Sequence, residues 1–223
     1  MLKKKIKLPN KILVLQNADK KDHQRWYKGR DLLDFPVPCR MALIGAPNTG
    51  KSLNILNVLL RSNYKDIFLT HPDPLTKEWD NIKPTVLEEI PKPDQFRGEV
   101  PSAYILDDLP YQDMSKSQKS NLERLCGYVS THKLMSIFIT SQTFTILPIA
   151  VRRMINVFVI FRSTDLNLIG IIARRVNLPC KTLTNILNTF TSNHQSLWID
   201  RSANSPAPYR IDGYQVIDPL NYK

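Results

Sequence analysis

The sequence predicts an α/β fold with a largely parallel central sheet flanked by helices and a β-hairpin near the carboxyl end. Short apolar runs of strand length alternate along the chain with stretches whose apolar residues recur at helical spacing. A glycine-rich pattern typical of phosphate-binding loops follows one strongly apolar run and precedes a helix. Strands that alternate with helices form parallel sheets, because each helix returns the chain to the edge where the previous strand began.

The individual elements are assigned from this periodicity. We predict strands over 41–44, 66–70, 102–108, 136–142, 156–161 and 195–200, a hairpin from 209–211 and 214–217, and an edge strand over 11–15. We predict helices over 53–61, 121–130, 165–176 and 180–189, and a helix-like stretch after Leu147-Pro148. Prolines between 71 and 98 favour short helices and loops. The polar segment 109–120 is expected to be plain surface, or else a mobile loop that reaches a partner.

Charge divides the chain of 223 residues into a basic arm and one compact domain. Residues 1–30 contain ten lysines and arginines against two aspartates, so they carry +8 of the formal net charge of +11. This arm either contacts the phosphates of a nucleic acid or an acidic surface, or is a solvated tail. Residues 31–223 are expected to form the domain and are numerous enough to bury a sizeable core.

Cysteine usage and hydropathy exclude several classes of protein. Cys39, Cys126 and Cys180 are odd in number, far apart and outside any C-x-x-C pair, which argues against a disulfide framework or a zinc site. We expect Cys126 to lie in the core. No stretch approaches the ~18 apolar residues of a membrane span. The amino-terminal region also lacks the apolar core of a signal peptide.

The segment that follows Ile44 fits the pattern G-x-x-x-x-G-K-[ST]. Glycines at both ends let the backbone approach a phosphate, and the loop N–H groups and the next helix N-terminus attract an anion. Lys51 would reach the β- and γ-phosphates of a nucleoside triphosphate, and the Ser52 hydroxyl would complete a Mg²⁺ shell. The predicted nucleotide-binding residues are Gly45, Ala46, Pro47, Asn48, Thr49, Gly50, Lys51 and Ser52.

Two acids end the apolar strand that begins at Ser102. Asp107 is predicted to hold Mg²⁺ through its waters, as the Walker B acid of a nucleoside triphosphatase. Asp108, one residue further on, can project towards the γ-phosphate and polarise an attacking water. The alternative is a strand that simply ends in an aspartate-rich turn.

Gln142 ends the next buried strand. In the architecture where this strand lies between the phosphate-loop strand and the Walker B strand, its last residue can sense the γ-phosphate, since an amide can hydrogen-bond both a phosphate and a water. A simple turn residue is the alternative. His71, at another strand end, is expected to have a structural or turn role rather than a catalytic one.

Four stretches together resemble the small viral genome-packaging ATPases of the FtsK/HerA superfamily, the poxvirus-type ATPases of large DNA viruses, virophages, polinton-like elements and membrane-containing phages. They are RMALIGAPNTGKS, AYILDDLP, THKLMSIFITSQTFTILPIAVRRMINVFVIFR and LWIDRSANSPAPYRIDGYQVI, within residues 36–217. The third is the most specific. Its family pattern is a histidine, a strand-ending glutamine, a proline, an arginine and an apolar strand, here His132, Gln142, Pro148, Arg152 or Arg153, and 157–161.

The resemblance implies a P-loop NTPase fold of the RecA/ASCE type, with Lys51, Ser52 and Asp107 at the phosphates and Mg²⁺. Asp108 takes the place where the superfamily often has glutamate, and Gln142 takes the polar sensor position. Thr131 stands where family members commonly have an arginine that acts on a neighbour's nucleotide. We therefore predict that Arg152 or Arg153 supplies this cation. The alternative is that each caps a helix or meets solvent.

The expected function is that of an ATPase that drives double-stranded DNA into a preformed viral capsid. The resemblance implies a homo-oligomeric ring of about five or six subunits at a capsid vertex. It also implies a location in the host cell, either a cytoplasmic virus factory or the nucleus, and possibly in the virion. The alternatives are a HerA-like cellular or plasmid helicase or translocase, and a nucleotide-binding structural protein of the vertex with little turnover.

Overall fold

A computed structural model describes residues 30, 34–73, 75–98, 100–203 and 205–223. The strands are β1 (Arg40–Ile44), β2 (Asp66–Thr70), β3 (Thr85–Val86), β4 (Ser102–Leu106), β5 (Met135–Ser141), β6 (Val157–Phe161), β7 (Ser196–Asp200), β8 (Tyr209–Ile211) and β9 (Gln215–Val216). The helices are α1 (Lys51–Leu60), α2 (Lys116–Arg124), α3 (Ile149–Met154), α4 (Leu166–Val176) and α5 (Cys180–Asn188). The predicted strand over 11–15 and all of the predicted basic arm except Arg30 lie outside the described residues.

In the described part of the chain the strands form one sheet in the order β3-β2-β4-β5-β1-β6-β7-β8-β9. The six strands from β3 to β6 in this order run parallel, and β7, β8 and β9 are antiparallel. The predicted α/β class, the largely parallel sheet and the terminal hairpin are confirmed. Strand β5 lies between β1 and β4, so the carboxyl ends of these three strands are neighbours at one edge.

Successive side chains of each strand point to opposite faces of the sheet, and an apolar layer covers each face. In β1, Met41 and Leu43 pack on one face with α1 and the buried Trp79, whereas Ala42 and Ile44 pack on the other with α2, α3, α4 and α5. All five residues of β4 are buried. A strand covered on both faces must be apolar throughout, which is why the central strands read as continuous apolar runs in the sequence.

Two elements differ from the expectations. The polar segment 109–120 contains the first residues of α2, where Ser115 and Gln118 form a reciprocal capping box. This helix continues through a π-helical segment (Leu125–Val129) and a last α-helical turn (Ser130–His132). The start of α2 was missed because its first turn is polar and carries no apolar periodicity. Strand β3 was also missed, because its two exposed residues in the proline-rich segment show no apolar periodicity.

The three cysteines are free, and Cys126 lies in the core as expected. Burial raises the pKa of its thiol to about 12, an effect that Arg40 opposes. Among the residues that the structure describes, no helix is both long and apolar enough to cross a bilayer.

At the amino edge of the sheet, Arg30 is tied to the end of β7. Its Nη1 donates to Asp200 Oδ2 at 2.6 Å, and its Nη2 donates to Ser202 Oγ at 2.8 Å. Burial raises the pKa of Asp200, but hydrogen bonds from Ser202, Arg30 and Ser205 outweigh it and hold the pKa below its ordinary value of 3.8. The ionised carboxylate therefore stabilises the folded chain.

Replacing Asp200 with asparagine should lower the free energy of unfolding by about 2 kcal/mol at neutral pH, since a hydrogen-bonded buried charge is lost. Because the folded pKa lies below the unfolded one, this contribution is present above about pH 4 and disappears as the pH falls further. Urea unfolding between pH 3 and 7 measures it. The exposed Asp113→Asn serves as the control, and a stability gap that does not narrow at all between pH 7 and pH 3 would contradict the assignment.

Candidate nucleotide site

The loop from Gly45 to Gly50 joins β1 to α1 and is closed by its own hydrogen bonds. Gly45 N donates to Ser141 O of the neighbouring strand β5 at 3.1 Å, and Thr49 Oγ1 donates to Ala46 O at 2.9 Å. The Lys51 ammonium folds back over the loop, where it donates to Gly45 O at 2.9 Å and to Ala46 O at 2.8 Å. The predicted loop residues thus lie between β1 and the first turn of α1, with the Lys51 ammonium held against the loop by two of its carbonyls.

Both glycines of the pattern meet a steric requirement. A Cβ on Gly45 would lie 2.7 Å from Phe161 Cβ and 2.9 Å from Thr49 Oγ1, which is closer than real Cβ contacts allow. Gly50 has φ of +92°, in the left-handed region where a side chain is strained. The loop can therefore approach both the sheet and a bound group only with glycine at these positions.

Lys51 is buried beside three carboxylates. Burial lowers the pKa of its ammonium from the ordinary value of 10.5, while Asp108, Asp107 and Glu78 act in the opposite direction. These three acids come from two different segments, the end of β4 and the loop after β2. The Lys51 ammonium thus faces three carboxylates, which is the arrangement that a phosphate bridged by a divalent cation requires.

Asp107 is held by two hydroxyls, one from the first turn of α1 and one from the end of β5. Ser52 Oγ donates to Asp107 Oδ2 at 3.1 Å, and Thr140 Oγ1 donates to Asp107 Oδ1 at 2.6 Å. The carboxylate is buried, 2% exposed, and carries no bond to a basic side chain among the hydrogen bonds described. Ser52 and Asp107, the two predicted Mg²⁺ ligands, therefore lie in direct contact.

Asp108 turns away from the strand and points its backbone into the same network. Its N–H donates to Thr140 Oγ1 at 2.8 Å, and its φ of 50° places the residue in the left-handed region. This backbone turn leaves the Asp108 residue exposed while Asp107 is buried. The two neighbouring acids thus have different surroundings, one fixed by hydroxyls and one facing solvent.

These side chains line a cavity of about 400 Å³ beside the loop. It is bordered by Pro47, Asn48, Gly50, Lys51, Ser52, Leu53, His71, Glu78, Asp107, Asp108, Gln142 and His194. Gln142, which follows β5, is exposed and also borders a second cavity of about 560 Å³ on the other side of the loop, walled by Ile160, Phe161 and Leu168. The structure thus brings together the predicted loop, Asp107, Asp108 and Gln142.

The two predicted arginines do not join this group. Arg152 is half-buried with its guanidinium 6.0 Å from the centre of the Phe144 ring, and its Nε has no hydrogen-bond partner among the described residues. Arg153 is exposed and lines a different cavity with Arg40 and Arg201. Since Arg40 begins β1 and the phosphate loop follows its end, this second group lies at the opposite, amino edge of the sheet.

Sequence reasoning missed four residues of the cavity and its walls: His71, Glu78, Thr140 and His194. Thr140 precedes Ser141 at the polar end of an apolar strand, so its hydroxyl was a visible signal next to Gln142. Glu78 and His194 lie in loops that no sequence pattern links to the phosphate loop. His71 was assigned a turn role, and its Nδ1 does lie 2.8 Å from Asp73 O in such a turn.

Comparisons with known proteins identify the fold. No family model matches the sequence, and no curated protein is similar to it in sequence. The structure is similar to that of B204, the DNA-packaging ATPase from Sulfolobus Turreted Icosahedral Virus, with a TM-score of 0.60 and 14% identity over 82% of this chain and 99% of that one. The fold-level resemblance to viral genome-packaging NTPases is therefore confirmed.

Two further structures carry nucleotide analogues. The genome packaging NTPase B204 from Sulfolobus turreted icosahedral virus 2 in complex with ATP-gammaS matches with a TM-score of 0.54 and 16% identity, over 81% of this chain and 99% of that one. The pCW3 conjugation coupling protein TcpA, monomer form with ATPgS, matches with a TM-score of 0.56 and 10% identity, over 85% of this chain and 63% of that one.

Thr140→Val should destabilise the protein by about 1–3 kcal/mol, because it removes the hydroxyl that joins Asp107 to the Asp108 N–H while preserving shape. Thr140→Ser keeps the hydroxyl and is the matched control. Urea unfolding should place the valine variant clearly below the serine variant. Equal or greater stability of the valine variant would show that the hydroxyl does not hold the two acids.

Proposed function

We propose that this protein is an ATP-driven translocase that packages double-stranded DNA into a preformed viral capsid. The observation that carries the proposal is the convergence of the phosphate loop, the Ser52–Asp107 pair, Asp108 and Gln142 at one sheet edge. The similarity in fold to a DNA-packaging ATPase over nearly the whole of that chain supports the same role.

The loop residues bind the phosphates. Lys51 already donates two hydrogen bonds to loop carbonyls, so phosphate oxygens of ATP would replace Gly45 O and Ala46 O as its acceptors. The second cavity, between the loop and α4, offers apolar walls for the base and ribose. Mg²⁺ fits beside Ser52 and Asp107, because a hydroxyl and a carboxylate oxygen are ligands that it prefers, and it would neutralise charge on the phosphates.

Asp108 and Gln142 act on the attacking water. The exposed Asp108 carboxylate accepts a hydrogen bond from that water and orients it towards the γ-phosphate. Gln142 lies between Asp108 and the loop, because β5 lies between β4 and β1, and its amide bonds both phosphate and water. Loss of the γ-phosphate would therefore change the contacts of Gln142 first.

The proposed ring follows from the position of Arg153. Arg153, Arg40 and Arg201 lie at the amino edge, so they act on the nucleotide of a neighbouring subunit rather than on their own. Arg153 is preferred over Arg152 because it is exposed, whereas Arg152 is half-buried over Phe144. A homo-oligomer of about five or six subunits would surround the DNA at a capsid vertex, in the virus factory or nucleus of the host.

A second candidate function is DNA transfer outside a virus. The similarity to a conjugation coupling protein favours it, and this chain spans 63% of that protein. A passive nucleotide-binding protein of the vertex is the third candidate. Packaging requires hydrolysis, DNA dependence and a capsid together, whereas a conjugation-type translocase needs no capsid and a passive protein needs no turnover.

Duplex DNA should stimulate ATP hydrolysis by the wild-type protein several-fold, since a motor turns over fastest on its track. Lys51→Ala should be inactive with or without DNA, because the β- and γ-phosphates lose their cation. A steady-state phosphate-release assay measures both. Hydrolysis that ignores DNA would favour the passive protein, and protection of DNA from nuclease only when empty capsids are added would favour packaging over conjugation.

Arg153→Ala should reduce kcat about a thousandfold while leaving ATP binding intact. Mixing Arg153→Ala with Lys51→Ala subunits should restore part of the activity, because each supplies what its neighbour lacks. Arg174→Ala, which removes an exposed arginine of α4, is the control. No recovery on mixing, together with full activity of Arg153→Ala alone, would exclude Arg153 as the cation supplied to a neighbour.

A further inference from the structure

Three side chains that no sequence pattern connects converge beside the phosphate loop. One ligand atom from each of His71, Glu78 and Asp107 lies within 4.8 Å of the others. We infer that these residues form a divalent-cation site that holds its metal before any nucleotide binds. The inference rests on the proposed ATPase function, because the cation is the one that would accompany ATP.

Strand pairing fixes the first two residues. Strands β2 and β4 are parallel neighbours in which Thr70 lies opposite Leu106, so the residues that follow, His71 and Asp107, leave the sheet side by side. The Asp107 N–H donates to Thr70 O at 3.1 Å, which extends the ladder to this point. The imidazole and the buried carboxylate are therefore positioned by the sheet and not by a flexible loop.

The imidazole has a second partner of the kind that metal-binding histidines use. His71 Nδ1 lies 2.8 Å from Asp73 O and accepts from the Asp73 N–H at 2.9 Å. Metal binding at Nε2 requires the tautomer that carries its proton on Nδ1 and donates it to Asp73 O, in place of the bond from the Asp73 N–H. A backbone carbonyl that accepts from the other ring nitrogen fixes both tautomer and ring orientation.

Glu78 is brought to the site by its neighbour. Trp79 is 1% exposed and packs in the layer that contains α1, and its carbonyl accepts from Ile82 N at 3.0 Å and from Lys83 N at 3.2 Å. This anchored turn holds the exposed Glu78 at the cavity, where its charge also acts on Lys51. A carboxylate on a surface loop would otherwise be free to turn into solvent.

The ligand set predicts an unusual metal preference. In P-loop sites Mg²⁺ is bound by one or two carboxylates plus substrate phosphates, and so it depends on the nucleotide. Two carboxylates, an imidazole and the Ser52 hydroxyl provide four protein ligands, enough to retain a cation alone. Imidazole is a ligand for transition metals, and the affinity of such a site rises from Mn²⁺ towards Zn²⁺. The site should therefore prefer transition metals, of which Mn²⁺ is the probe used here, over Mg²⁺.

The test is a titration of the full chain with Mn²⁺ in the absence of nucleotide. Binding is measured as loss of the free Mn²⁺ signal in electron paramagnetic resonance. We expect one saturable site in the wild type and affinity at least about tenfold lower in Glu78→Gln and His71→Gln. His71→Gln should also reduce the preference for Mn²⁺ over Mg²⁺ in competition. Glu123→Gln, which changes a glutamate on α2 away from the cavity, should bind as the wild type does.

The inference would be overturned if the wild type bound Mn²⁺ only in the presence of ATP. It would also be overturned if Glu78→Gln bound Mn²⁺ as tightly as the wild type. Thermal unfolding of each variant verifies its fold, and Glu78 is exposed, so its glutamine variant should unfold as the wild type does. If the chain does not bind Mn²⁺ without nucleotide, DNA-stimulated hydrolysis of ATP is still expected. Conversely, a chain that binds Mn²⁺ but never hydrolyses ATP would refute the proposed function and not the metal site.

Discussion

The hydroxyl of Thr140 is the point on which the carboxyl edge of the sheet depends. It donates to Asp107 Oδ1 at 2.6 Å and accepts from Asp108 N at 2.8 Å, so one buried side chain of β5 fixes the two residues that follow β4. Ser52 binds the other oxygen of Asp107 from α1. These hydrogen bonds link the end of β4, the end of β5 and the start of α1, which are distant from one another in sequence. Without this link both aspartates would lie in one solvated turn and would have the same surroundings.

The link gives the two acids of this motif different surroundings. Asp107 is buried and held by hydroxyls, as suits a ligand that must stay in place, whereas Asp108 adopts a left-handed backbone and reaches solvent. A cationic loop faces them, and the lowered pKa of Lys51 reflects its burial there. The opposite edge of the sheet carries Arg40, Arg153 and Arg201 around another cavity. The acids and the phosphate loop therefore lie at one edge of the sheet, and these arginines lie at the other.

How much the sequence could predict follows from which interactions are local. The parallel strands other than β3, the loop after β1 and the acids after β4 were predicted, because burial on both faces and the geometry of phosphate binding leave local patterns. Placement of Gln142 between loop and acids was predicted for the architecture in which its strand lies between theirs, and the observed strand order is the one that this placement requires. Glu78 and His194 could not be found, because only the packing of Trp79 and of the α5–β7 loop brings them to the cavity. The start of α2 was hidden by its polar capping box.

The central claim is that the two aspartates divide metal binding from water activation. The most direct test is ATP affinity and single-turnover hydrolysis measured together on Asp108→Asn and Asp107→Asn. Asp108→Asn should bind ATP with Mg²⁺ as tightly as the wild type and hydrolyse it about a hundredfold more slowly, or slower still. Asp107→Asn should lose metal-dependent binding as well. If Asp108→Asn hydrolyses ATP at the wild-type rate, or if both variants lose binding equally, the division of roles is contradicted.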